Sequence, residues 1–140
     1  VRTDVILLLI LTVFLWGATP VLEKIGLGSV DPLTGVTIRS IAVAVALVIY
    51  LVLSGKARQL FQVDHKALII FSVTGLMAGL VGMLTYFTAL KRGTASQIVP
   101  IAAAYPLVTA ILSVLILGEN VTILRLIGTI LIVVGIWFVI

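Results

Sequence analysis

Five long apolar runs follow one another along this chain, at residues 5–25, 32–53, 67–90, 96–117 and 122–140. An α-helix needs about 20 mostly apolar residues to cross roughly 30 Å of hydrocarbon, and each run is close to that length. Period-two alternation is absent, which sets aside a β-barrel. The connectors, 26–31, 54–66, 91–95 and 118–121, are short. Composition closes off the other fold classes. Of the 140 residues 62% are hydrophobic and 10% charged, too few charges to wet a soluble domain and too much apolar surface for disorder. The expectation is an all-α integral membrane protein, a bundle of five transmembrane helices forming one domain over residues 1–140.

Nine basic and five acidic residues give a net charge of +4. The basic residues sit at the ends of the apolar runs, where they act as membrane anchors and topology signals, so the lipid bilayer rather than a nucleic acid is the partner they imply. Five spans place the termini on opposite faces. With the N-terminus inside, Arg2, Lys56, Arg58, Lys66 and Arg125 are cytoplasmic, against Lys24, Lys91, Arg92 and, if it snorkels, Arg39 outside. That balance favours a multi-pass protein of the cell membrane with a cytoplasmic N-terminus, by a margin narrow enough to permit insertion both ways. Asp4 cancels the positive region that a signal peptide would carry ahead of the first run, so that run is read as a retained span.

Polar residues inside spans are costly, and that makes them functional candidates. In the first run Thr12, Trp16, Thr19 and Glu23 share one helical face. Pro20 lies on the same stripe and frees the Trp16 carbonyl. Glu23 is either half of an interfacial pair or part of a solute path, and Lys24 has the reach to snorkel. Arg39, seven residues into the second run, needs a partner, a wet cavity or an exit by snorkelling. Glu23 and Asp31 are the candidate partners for a structural ion pair, and an anion or substrate contact is the alternative. Gly75, Gly79, Gly82 and Tyr86 recur at helical spacing and read as a packing seam, with Gly128 and Gly135 a second contact face. Pro100 and Pro106 break the backbone hydrogen bonding of the fourth run, beside Tyr105 and Thr109, as helices around transport sites often do.

No enzyme is indicated. The one histidine, His65, lies in a connector, no acids have metal-ligand spacing, and there is no cysteine. Neither a metal nor a cofactor is expected.

Together these pieces resemble a known family. Trp16-Gly17 followed by Lys24 is similar to the first helix of the EamA-type domain of the drug/metabolite transporter superfamily. Arg39 occupies the place of that domain's second-helix arginine. The stretch Tyr86-Phe87-Thr88-Ala89-Leu90-Lys91 resembles the end of its third helix. Residues 95–106 and the turn Leu117-Gly118-Glu119 resemble its fourth helix and Gly-Glu turn, and Gly128 and Gly135 fit its last. The resemblance implies one EamA-type unit of five helices that carries small organic metabolites or drugs by alternating access. Family members mostly hold two inverted units, so a single unit implies a homodimer, either antiparallel or parallel. The solute path is expected at Trp16, Glu23, Arg39, Tyr86 and Tyr105, with helix kinks at Pro20, Pro100 and Pro106. The alternative is a non-transporting subunit that packs with and stabilises a larger partner.

Overall fold

The computed structural model describes residues 2–139, and every regular element among them is helical. In chain order these are α1 (Thr3–Gly26), α2 (Pro32–Leu53), α3 (Ala57–Leu60), α4 (His65–Thr74), a π-helical stretch (Gly75–Gly82), α5 (Met83–Arg92), α6 (Ala95–Ala102), α7 (Tyr105–Leu117) and α8 (Ile123–Ile136). The chain divides between Lys91 and Arg92 into two compact units.

In the first unit α1 begins after Arg2, whose guanidinium pairs with Asp4 at 3.0 Å. Thr12 and Thr19 return their hydroxyls to the carbonyls of Leu8 and Leu15, which satisfies each hydroxyl inside its own helix. Pro20 is accommodated within α1 and is buried. α2 starts where Asp31-Pro32 demands. Proline occupies the first turn, where its missing N–H costs nothing, and Asp31 caps it by accepting the Thr34 amide at 3.1 Å.

The Thr34 hydroxyl and then its amide also hold the Asp31 carboxyl below its ordinary value of 3.8. Because that value is depressed on folding, the cap is in place at neutral pH and is lost as pH falls through the lowered value. The Thr34 amide resonance is therefore expected to titrate with a midpoint below 3.8; a midpoint at or above 3.8 contradicts the cap.

The third apolar run is a continuous helical path, His65–Arg92, of three parts. It begins two residues before the run read from sequence, because Asp64 caps it by accepting the Ala67 amide at 3.0 Å. Its middle is not α-helical. Gly75–Gly82 winds in the wider π form, which three glycines in eight residues make accessible by removing side-chain constraints on the backbone. The seam expected at Gly75, Gly79, Gly82 and Tyr86 assumed α-helical spacing throughout, and the π stretch interrupts that register.

The buried apolar side chains of this unit gather at one end. Leu27, just after α1, Val36 in α2, and Phe87 and Leu90 in α5 are each no more than 3% exposed. Gly35 makes the approach possible. A Cβ there would stand 3.2 Å from two Phe87 ring carbons and 3.4 Å from Leu27 Cδ2. Along the rest of the spans the large apolar side chains are exposed, as suits helices whose backbone is satisfied internally and whose outer faces meet lipid.

In the second unit the fourth run is divided into α6 and α7 across Ala103-Ala104. Pro106 cannot donate to the Ala102 carbonyl and is instead placed in the first turn of a new helix. Pro100 stays inside α6. Gly118 ends α7 in the left-handed region, with φ +65°, and the Glu119 amide closes back on the Ser113 carbonyl at 3.2 Å, a cap that only glycine adopts without strain. Thr122 caps α8.

The fifth run departs from expectation. Its α-helix covers Ile123–Ile136, 14 residues, which rises about 21 Å. From there the amides of Trp137, Phe138 and Val139 bond to carbonyls three residues back, so the chain continues in tighter turns through Val139; Ile140 lies outside the described residues. Among the described residues this leaves four helical paths long enough to span a bilayer, those of residues 65–92 and 95–117 being composite, and one shorter apolar helix.

Candidate solute site

Glu23 lies one turn before the end of α1, and Arg39 two turns into α2. The turn between the two helices brings them together. Arg39 Nε stands 3.5 Å from Glu23 Oε1, beyond the ~2.7–2.9 Å of a closed charge-assisted hydrogen bond. The Glu23 side chain is 11% exposed and that of Arg39 45%. Oε1 of Glu23 is buried and accepts no hydrogen bond among the described residues. Of the two partners considered for Arg39, Glu23 is the one it meets; Asp31 is engaged in capping α2.

The pair opens onto a cavity of about 540 Å³, within the ~300–1,000 Å³ typical of small-ligand sites. α1 contributes Thr19, Leu22, Glu23 and Gly26; the turn contributes Leu27, Ser29 and Val30; α2 contributes Gly35, Ile38 and Arg39; and α5 contributes Phe87. The walls are mostly apolar, with one carboxylate and one guanidinium set into them. In such surroundings each charge acts more strongly on a bound solute than it would in water.

One end of this unit is tied by two lysines. Lys24 Nζ donates to the Leu90 carbonyl at 2.6 Å and to that of Lys91 at 3.2 Å. Lys91 Nζ donates to the Val30 carbonyl at 2.6 Å. The reach of Lys24 is thus spent on the carbonyls of Leu90 and Lys91. Its ammonium meets them at the C-terminal end of α5, where the helix lacks amide donors and favours a cation. Lys24→Met is expected to destabilise the purified protein by about 2 kcal/mol, the worth of charged hydrogen bonds, read as a lower thermal midpoint. An unchanged midpoint would show that the ammonium contributes nothing to folding.

The other residues singled out from sequence are placed as follows. Trp16, on α1, is 68% exposed and does not line the cavity. Tyr86 is half-buried, its ring centroid 6.2 Å from that of Phe87, and it is Phe87 that reaches the cavity wall. Tyr105 belongs to the second unit and is 59% exposed. A Cβ at Gly75, Gly79, Gly128 or Gly135 would meet no described atom within 4 Å, whereas at Gly82 it would stand 3.1 Å from the Met77 carbonyl oxygen of the π stretch. Sequence reading passed over Gly35 and Phe87. Gly35 precedes Arg39 by four residues and so shares its helical face, a signal that was available. Phe87 had none, because its burial depends on α2.

The profile of the EamA-like transporter family matches residues 4–140. The chain belongs to this family. Among curated relatives, an uncharacterized protein of Methanocaldococcus jannaschii is 32% identical over 92 residues, 66% of each chain. An uncharacterized transporter of a Sinorhizobium species is 25% identical over 117 residues, 84% of this chain and 82% of its own length. An uncharacterized transporter of Archaeoglobus fulgidus is 27% identical over 77 residues, 55% of this chain and 28% of its own. No solved structure matches. With the apolar helices, these findings establish a multi-pass membrane protein of an EamA-like transporter family and point to a transporter rather than an enzyme.

Proposed function

We propose that this EamA-like chain is a secondary transporter that moves small organic metabolites or drugs across the cell membrane by alternating access, and that it works as a homodimer. The observation that carries the reading is the cavity at Glu23 and Arg39, an apolar pocket with paired opposite charges in a protein of transporter family. The Archaeoglobus fulgidus relative is about twice as long as this chain, long enough for two units of this size, and a dimer of single units supplies the same number of helices. In the antiparallel form two inverted copies face one another, the arrangement that inverted-repeat transporters use. The cytoplasmic N-terminus describes one of the two insertion states.

Residues 1–140 act in this reading as one EamA-type unit. Trp16, Tyr86 and Tyr105 serve as aromatic walls for the solute, Pro20, Pro100 and Pro106 are the points where helices bend between states, and Gly75, Gly79, Gly82, Gly128 and Gly135 serve close helix contact, with the second copy where their own chain leaves space.

The chain has no cysteine, so one introduced at Thr19, on the cavity wall, reports access without background. Thr19→Cys protein in sealed vesicles is expected to react with impermeant maleimide from each face in turn, with transported solute shifting the balance. Labelling from a single face under all conditions would contradict alternating access.

A further inference from the structure

The connector between α2 and α4 has a surface that the solute site does not use. We infer that it binds the headgroups of anionic phospholipids. α2 and the helical path His65–Arg92 that α4 opens are each long enough to span the bilayer, so this connector is held at the membrane surface whatever else the protein does. It carries Lys56 and Arg58, with Lys66 following in the first turn of α4, against one acid, Asp64, whose carboxylate is engaged by the Ala67 amide. None of the three cations forms an ion pair among the described residues.

The short α3 gives these charges a direction. Ala57, Leu60 and Phe61 fall on one side of its helical turn, and Lys56 and Arg58 flank that side to either hand. Phe61 is 86% exposed and Leu60 59%. An apolar edge with cations along both margins is the pattern of a segment lying in the membrane interface, rings and aliphatic groups toward the acyl chains and ammonium or guanidinium groups at phosphate level. A soluble anion would satisfy the cations and leave Leu60 and Phe61 in water. A lipid satisfies both.

Purified full-length chain in neutral detergent, titrated with phosphatidylglycerol or phosphatidylcholine and read by native mass spectrometry, tests the assignment. Phosphatidylglycerol is expected to bind at least about tenfold more tightly, with the preference shrinking as salt is added. Lys56→Gln/Arg58→Gln/Lys66→Gln should lose the preference, Lys56→Arg/Lys66→Arg should keep it, and Phe61→Ala should weaken both lipids. Where the triple variant fails to fold, Arg58→Gln alone should lower phosphatidylglycerol affinity about fivefold. Equal binding of the two lipids, a preference that survives neutralisation, or displacement by millimolar inorganic phosphate as effective as by lipid would each overturn it.

Discussion

Arg39→Leu is expected to lower the stability of the membrane-inserted protein by about 2 kcal/mol and to reduce its folded yield sharply. The substitution leaves Glu23 as an uncompensated charge, its side chain 11% exposed and Oε1 without a hydrogen bond. A charge in a span costs about 2.5–3.5 kcal/mol at the bilayer centre and less toward the surface, and Glu23 lies near the end of its helix. Glu23→Gln alone should do comparable damage by stranding Arg39. The double variant, Glu23→Gln/Arg39→Leu, is expected to recover most of the loss, since removing both members of an ion pair avoids the penalty that removing one creates. A double-mutant cycle on the thermal midpoint reads the coupling directly. Additive losses would mean that the 3.5 Å approach of the two side chains carries no energy.

The contact of α5 on α2 should be as sensitive. Phe87 is 3% exposed, and truncating a buried phenylalanine to alanine costs about 3–5 kcal/mol through lost contacts and the cavity left behind. Phe87→Ala is therefore expected to unfold this end of the first unit at temperatures where the parent is stable, and also to open the wall of the cavity that Phe87 lines. Gly35→Val attacks the same contact from the other side. Even a single Cβ would stand 3.2 Å from the ring, so a branched side chain must displace it, at about 1–3 kcal/mol. Because the two changes act on one contact, Gly35→Val in the Phe87→Ala background should cost far less than in the parent. An unchanged cost there would place the harm of the valine elsewhere.

How much of this was legible beforehand follows from which forces act locally. The start of α2 was readable from Asp31-Pro32, because proline and an aspartate cap act within one turn. The spans were readable because hydrocarbon thickness fixes their length. Glu23 was one of two candidate partners for Arg39, because few acids were near, but nothing in the sequence alone chose an ion pair over a wet cavity or an exit by snorkelling. The π turn at Gly75–Gly82 was not readable, since glycines permit either winding and nothing in their spacing selects one. Pro106 was read as a disruption, but whether the chain would kink or begin a new helix depended on backbone settled locally at Ala103-Ala104. The close approach at Gly35 and Phe87 lay beyond a one-dimensional reading, because it joins residues from helices far apart in the chain. The partners of Lys24 were hidden for the same reason: its reach was evident, but the carbonyls of Leu90 and Lys91 are distant in sequence.

The central claim is that the cavity at Glu23 and Arg39 is a solute path. Proteoliposome uptake of a radiolabelled metabolite panel, with and without an imposed proton gradient, measures it, comparing the parent with the folded Glu23→Gln/Arg39→Leu variant. The account predicts uptake above that of empty liposomes for the parent, and its loss in the double variant at equal reconstituted amounts. Uptake by the double variant at the parental rate would contradict it.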